Sequence, residues 1–582
     1  MPDLQATLED LLRQAVAAAL GPEHAQVDPQ LRPAGQPQFG DYQANLAMSL
    51  AKQLGRKPRD LAQAIVDHLH GEGLIERADV AGPGFINLRL TQAALDHAAA
   101  AMLDSATLGV EPASPSLRVV VDYSSPNVAK EMHVGHLRST VIGDAIARLL
   151  GFLGHEVIRQ NHLGDWGTQF GMLIEHYLDS GAQPGELARD IADLTTFYQQ
   201  AKQKFDADPA FADRARQRVV ALQSGDPDTL SLWRELIDAS YRHFRQVYER
   251  LDVLLDENDI RGESFYNDQL PHVIEDLERV GLLRESQGAL VVYPEGFADR
   301  EGEPLPMIVR KSDGGYLYAT TDLAAARYRI DTLGARWIIY VTDARQSQHF
   351  AMLFQTLRQA GWASDSVRLD HVAFGAVLGP DRKPFKTRQG GLIRLSDLLD
   401  EAEARAMRIV REKGAIDDPG YQRDVAHAIG IGALKYADLA SDRIKDYVFD
   451  WDRMLALDGN TAPYLQNAYV RIRSIFRKGN LDADHVLPQA IRLAHAAERQ
   501  LALKLLQFPR VIAATAQSLE PHRLCNYLYE LATAYHQFYE QCPVLSAPDD
   551  ATRDSRLALC ELVARTLKQG LSLLGIDVVE QM

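Results

Sequence analysis

The chain has 582 residues, 46% of them hydrophobic and 24% charged, and a formal net charge of −17. At about 150 residues per domain this length predicts roughly three to four domains, with cores that need no disulfide or metal staple. The acidity gives no support for a general polyanion binder, so a nucleic-acid partner has to be held on local basic patches; no stretch approaches the ~20 apolar residues that a membrane span needs, and no membrane partner is expected.

Asp3, Glu9 and Asp10 precede any apolar run, against a signal or transit peptide. Leu4, Leu8, Leu11, Leu12 and Val16 then predict an amphipathic first helix, followed by the loop Pro33-Ala34-Gly35-Gln36-Pro37. Helices are expected from about Tyr42 to Leu54 and from Pro58 to His70, and Gly82 to Leu88 reads as a turn entering a short strand. Glu111 to Pro115 reads as a linker. Leu117 to Tyr123 is apolar on both faces, as a buried parallel strand requires. Leu137, Val141, Ile142, Ala145, Ile146, Leu149, Leu150 and Leu153 recur at helical spacing behind it, Gly154 ends that helix, and Val157-Ile158 opens a second strand. This strand–helix–strand unit predicts a doubly wound sheet. About 180–310 reads as a polar helical insertion with a hairpin near Ala289 to Tyr293. Further strands are expected at Trp337 to Val341 and Val372 to Val377, and nearly everything beyond 400 is helical. Cys525, Cys542 and Cys560, spaced 17 and 18 apart, form no C-x-x-C pair and suit a reducing cytoplasm.

The chemistry concentrates after the first parallel strand, in Asp122-Tyr123-Ser124-Ser125-Pro126-Asn127-Val128-Ala129-Lys130-Glu131-Met132-His133-Val134-Gly135-His136. A helix is expected from about His136, and helix N-termini favour phosphate through free N–H groups and partial positive charge. Gly135 lets a nucleotide lie against the backbone, and both imidazoles can donate to a phosphate as charge develops. The bland alternatives are a chance H-x-x-H pair or half of a metal site; no third acidic or cysteine ligand accompanies it. The segment resembles the His-Ile-Gly-His signature of class I aminoacyl-tRNA synthetases. With Leu137-Arg138-Ser139-Thr140 it is similar to the form found in arginyl-tRNA synthetases. Asn161 to Gly171 resembles that family's next block, Asn460 to Gln466 and the end through Leu567-Lys568-Gln569-Gly570 its C-terminal domain, and Gln38 to Gln43 with Gly82 to Leu88 its N-terminal extension.

The resemblance implies an α/β fold. A Rossmann-like catalytic domain with a parallel sheet (113–400) is expected after an α+β N-terminal domain (1–112). A helical connector (401–455) and an all-α anticodon-binding domain (456–582) would follow. It implies ATP-dependent activation of L-arginine and transfer to the terminal ribose of tRNA(Arg), with Mg2+ accompanying ATP, no tightly bound protein metal site and a monomer. His133, Gly135, His136 and Lys386 would bind ATP. Lys130, His133, His136, Lys386 and Arg388 would be catalytic. Where class I enzymes usually carry Lys-Met-Ser-Lys, this chain has Lys383-Pro384-Phe385-Lys386-Thr387-Arg388. Lys386, Arg388 and Lys130 can each supply cationic charge to the transferring phosphate; a solvated basic loop is the alternative.

A pocket for arginine needs carboxylates that match a guanidinium fork. Asp122 ends the strand, and a helix through Tyr318 and Asp322 would project both from one face; Asp322 could equally be a plain helix N-terminal acid. By resemblance, Tyr318 and Asp322 bind the guanidinium, while Asp122, Ser124, Asn127 and Gln346 serve the amino-acid end. Tyr464 to Lys478 holds Arg471, Arg473, Arg477 and Lys478 without an acid, interleaved with Tyr469 and Phe476. Cations with aromatics suit RNA backbone contact and base stacking, and Arg471, Arg473, Arg477 and Tyr469 are the candidates; a solvated face over core aromatics is the alternative. The resemblance places the anticodon arm on this domain and the corner of the RNA on the N-terminal one. Rival readings are another class I synthetase, an HxGH nucleotidyl transferase, or a paralogue that only binds RNA.

Overall fold

The structure is a computed structural model describing residues 3–128, 130–167, 169–181, 194–383, 385, 393–483 and 486–582. The first unit joins helix Leu4–Leu20 and three shorter helices to an antiparallel sheet of β1 (Leu31–Pro33), β2 (Tyr42–Ala44), β3 (Ile75–Ala81) and β4 (Phe85–Leu90), ordered β1-β2-β4-β3. The expected helix from Tyr42 is therefore corrected. Tyr42–Ala44 pairs with both β1 and β4, and helix begins only at Leu46. Tertiary pairing overrides a helical pattern three residues long.

β5 (Arg118–Asp122) and β6 (Glu156–Gln160) flank the 19-residue helix Val134–Phe152. An insertion of helices follows, including Pro227–Arg250, with a small antiparallel sheet of β7 (Leu283–Ser286), β8 (Ala289–Val292) and β9 (Met307–Arg310). β10 (Trp337–Asp343) and β11 (Arg368–Phe374) complete a parallel sheet ordered β11-β10-β5-β6. β11 starts and stops earlier than the apolar run suggests. Val377 instead belongs to β12 (Val377–Leu378), paired with β13 (Tyr447–Val448) across 70 residues of chain. β5 leads outward one way to β6 and β10 the other way to β11, so the strand order reverses between β5 and β10. Open α/β sheets bind ligands in that crevice, at the strands' carboxyl ends.

From Leu395 the described residues are almost wholly helical, and helix Ala462–Gly479 packs against the last helix, Asp550–Leu573. The first unit docks on these C-terminal helices. Arg499 holds buried Asp41 at 2.6 Å and donates to the Leu90 carbonyl. Arg510 pairs with Asp3 at 2.7 Å and Glu9 at 2.8 Å, and Arg565 donates to the Ser105 carbonyl at 2.8 Å. Breaking a buried pair such as Arg499–Asp41 costs about 3–5 kcal/mol, because the remaining charge is stranded.

Candidate active site

At the carboxyl end of β5 the chain turns through Ser124 and Ser125, both at positive φ (68° and 47°). Non-glycine residues held there cost about 1–3 kcal/mol each and cluster at working sites. The turn leads to Asn127, whose short parallel bridge to Gly164 is intimate: a Cβ on Gly164 would lie 2.1 Å from the Asn127 amide oxygen. Only glycine permits that approach.

Helix Val134–Phe152 starts two residues before His136, with His133 as its N-cap. The His133 Nδ1 accepts from the Gly135 N–H at 3.0 Å, and the His136 Nδ1 accepts from the His133 N–H at 3.0 Å. A neutral imidazole accepting at Nδ1 carries its proton on Nε2, so both rings keep Nε2–H as the remaining donor. The rings lie 3.9 Å apart at 33°. Burial, then the neighbouring His133, pushes His136 down to about 3, and burial with Lys130 lowers His133, so both are neutral at physiological pH. A Cβ on Gly135 would sit 2.8 Å from the His133 ring, so this glycine also lets the two rings coexist. Lys130 holds its ammonium 4.6 Å from the Tyr198 ring centre. Lys386 and Arg388 lie outside the described residues. The chain leaving that stretch is laid along the imidazoles: Val134 N–H donates to the Ile393 carbonyl at 3.0 Å, Leu395 N–H to the Met132 carbonyl at 2.8 Å, and Arg394 pairs with Glu131.

Across the crevice, Tyr318 and Asp322 open helix Tyr318–Arg327. Tyr318 is 63% exposed, with its ring edge-on to His349 at 4.9 Å, and the His349 Nε2 lies 2.6 Å from an Asp322 oxygen. Gln346 is exposed just beyond the end of β10. A third acid that the sequence reading missed, Glu263, joins them. Residues 161–165 and 259–264 are zipped by backbone bonds, among them Glu263 N–H to the Leu163 carbonyl at 3.0 Å. Burial, with repulsion from Asp165 and Asp322, raises the Glu263 carboxyl to about 7. A cation entering between Asp322 and Glu263 would relieve both burial and repulsion. No local motif marks Glu263 or His349; only the folded chain brings them to Asp322.

Several expected residues point elsewhere. Asp122 pairs at 2.7 Å with Arg329, which is fully buried, and takes the Ser125 hydroxyl on its other oxygen. Its charge is thus met inside the protein, so it offers a substrate hydrogen-bond acceptors but no spare negative charge. Arg329, also missed, bonds Gln160 at 2.6 Å and lies 5.0 Å from the Tyr340 ring centre. Ser124 is buried with its hydroxyl engaged by Tyr248 and Thr140, so its side chain faces away from the crevice. In the Ala462–Gly479 helix, Tyr469 is buried and donates to Glu580 at 2.9 Å, Arg473 is held by Glu561 at 2.7 Å, and exposed Arg477 donates to the Glu580 carbonyl at 2.7 Å. Tyr469 and Arg473 are therefore corrected from RNA contacts to internal ties. Arg471 remains exposed, 5.9 Å from the ring centre of Tyr539, itself 39% exposed.

The chain matches three family models in order: Arginyl tRNA synthetase N terminal domain over 6–90, tRNA synthetases class I (R), catalytic domain over 99–451, and DALR anticodon binding domain over 465–582. It is 54% identical to the "Arginine--tRNA ligase" of a Synechococcus sp. over 99% of both chains, and 52% identical to that of Thermobifida fusca over the whole of both. Among solved structures it is similar to arginyl-tRNA synthetase from Plasmodium falciparum (TM-score 0.84, 30% identity) and to that of Thermus thermophilus (TM-score 0.82, 27% identity), covering all of each chain.

Proposed function

Because the chain belongs to the arginyl-tRNA synthetase family of class I tRNA synthetases, we propose that the crevice between β5 and β10 joins arginine to ATP and then to tRNA(Arg). The observation that carries this reading is two unlike sets of groups at the carboxyl ends of the adjacent strands β5 and β10: neutral Nε2–H donors on His133 and His136, and the acid pair Asp322 and Glu263. The first set suits phosphate oxygens, the second a guanidinium. Asn127, Gln346 and the oxygens of Asp122 then serve the α-amino end.

In the first step the arginine carboxylate attacks the α-phosphorus of ATP, the bond to the bridging oxygen breaks, and pyrophosphate leaves with that electron pair. The His133 and His136 N–H groups donate to phosphate oxygens as charge grows, and neutral rings do so without first losing a proton. Lys130, Lys386 and Arg388 supply the cationic charge at the leaving group. In the second step a hydroxyl of the terminal ribose attacks the arginyl carbonyl carbon, the bond from that carbon to the phosphate oxygen breaks, and AMP departs with that electron pair, its phosphate taking the hydroxyl proton. The donors around the imidazoles are nitrogen, which fits phosphate and not Mg2+; the ion would be held by the nucleotide's own phosphates, where it neutralises the pyrophosphate.

Arg471 with Tyr539, and Arg477, are the proposed RNA contacts on the C-terminal helices. The same reading divides the chain at about 112, 400 and 455 and makes it a cytoplasmic monomer; Cys525, Cys542 and Cys560 are free and buried, as suits a reducing compartment. The test is pyrophosphate exchange with each amino acid, with and without tRNA. Exchange with arginine alone among the amino acids is expected; exchange with another amino acid, or with none, overturns the reading.

A further inference from the structure

The strained turn after β5 is clamped by a residue 124 positions away. Tyr248, in the last turn of helix Pro227–Arg250, is buried, with its hydroxyl 2.8 Å from that of Ser124 and accepting from the Asn161 amide at 3.0 Å. The Asn161 amide oxygen in turn accepts from the Ser125 N–H at 3.0 Å, and the Ser124 N–H donates to Ser139 at 2.9 Å. One phenol thus reaches the groups that fix both left-handed residues.

The Asn161 amide nitrogen can only donate, so the single Tyr248 proton goes to Ser124. The Ser124 and Thr140 hydroxyls are 2.9 Å apart, and Thr140 lies 2.8 Å from the His136 carbonyl, which can only accept. Thr140 is the donor in both contacts, its proton shared between the Ser124 oxygen and the His136 carbonyl. The hydroxyls of Tyr248, Ser124 and Thr140 thus form one connected network, whose members polarise one another. It links the insertion helix, the β6 end, the strained turn and the first turn of the imidazole helix.

The geometry points to Tyr248 as a positioning residue for the amino-acid site: it holds the Ser124–Ser125 turn in the conformation that presents Asn127, and through Thr140 it registers that turn against the helix carrying His136. This rests on the reading that the turn borders the arginine pocket. A tyrosine kept only for packing would make the same ring contacts, but its hydroxyl would be dispensable.

Tyr248→Phe keeps the ring and deletes the hydroxyl. In pyrophosphate exchange the KM for arginine is expected to rise about tenfold, the scale of one lost buried hydrogen bond, while the KM for ATP stays within twofold and the thermal midpoint moves little. An unchanged arginine KM, or equal changes for both substrates, overturns the proposal. Ser124→Gly removes the same bond from the other side and also relieves the positive φ. Alone it strands the Tyr248 proton and raises the arginine KM to a similar extent. Combined with Tyr248→Phe it leaves open only the Asn161 amide that Tyr248→Phe alone already leaves open, so the double variant is expected to be no worse than Tyr248→Phe; a multiplied, about hundredfold, loss overturns the proposal. If Tyr248→Phe does not fold, Ser124→Gly decides alone, and an unchanged arginine KM is then the overturning result. Unaltered protein that shows no arginine-dependent exchange sinks the arginine reading itself, whereas normal unaltered protein beside unaffected variants sinks only the role of Tyr248.

Discussion

Two regions rich in polar side chains, the carboxyl end of the parallel sheet and the Ala462–Gly479 helix, use them in opposite directions. At the sheet end the His133 and His136 rings spend one nitrogen each on the backbone and keep the other, and Tyr318 stands in the open. On the helix Tyr469 and Arg473 are turned inward onto Glu580 and Glu561, acids from the far end of the chain. A run of cations and aromatics says that partners exist, not whether they are internal. A motif whose glycine and capping geometry already account for its backbone leaves its side-chain donors for something else.

The largest effect that would sharpen this contrast is expected at Asp322. Asp322→Asn should raise the KM for arginine a few hundredfold or more, since removing one partner of a desolvated charge costs about 3–5 kcal/mol and each 1.4 kcal/mol is tenfold; the KM for ATP should barely change. Steady-state exchange kinetics check it, and parallel losses for both substrates would make Asp322 structural. His136→Ala should lower the exchange turnover about a hundredfold or more with little change in the KM for ATP, because the lost donor acts on charge that develops in the transition state. An unaltered turnover would close the sheet end as a phosphate site.

Smaller, and diagnostic, is pH. Glu263 at about 7 is mostly protonated at pH 6 and mostly ionised at pH 8. Only the ionised form pairs with a guanidinium, so the KM for arginine should fall about tenfold across that interval as the ionised fraction rises. Glu263→Gln should flatten the profile, and a slope that survives it assigns the titration elsewhere. The smallest effects separate the two kinds of cation on the helix. Arg471→Ala should weaken tRNA binding and reduce its log–log salt slope by about one, and Tyr539→Ala should weaken binding with the slope unchanged. Arg473→Ala should leave the slope alone and lower stability by about 1–3 kcal/mol, by stranding Glu561. A flattened slope for Arg473→Ala would erase the contrast between the two regions.

What the sequence made legible follows the distance between cooperating residues. Strand, turn and helix from Arg118 to Phe152 are dictated within about thirty-five residues, so periodicity and one capping histidine suffice. Tyr318 and Asp322 share a helical turn and could be paired on paper. Glu263, His349, Arg329 and Tyr248 could not, because each meets its partner only through tertiary structure, as with Tyr248 and Ser124. What the sequence left unseen at Asp122, Tyr469 and Arg473 has one cause: their internal partners, Arg329, Glu580 and Glu561, lie 207, 111 and 88 residues away. The strand at Tyr42–Ala44 was missed similarly, since its hydrogen bonds go to residues 31–33 and 86–88.

The docking of the first unit on the last helices gives the molecule a closed mechanical circuit. The peptide leads from the first unit into the parallel sheet, but the ion pairs Arg499–Asp41 and Arg510–Asp3 return force straight to the opposite end of the chain. Severing the backbone between residues 105 and 117 would therefore open the loop without releasing the first unit, which would stay clasped to the helices around Phe508. The ion pairs thus tie the first unit to the C-terminal helices independently of the peptide that joins it to the sheet.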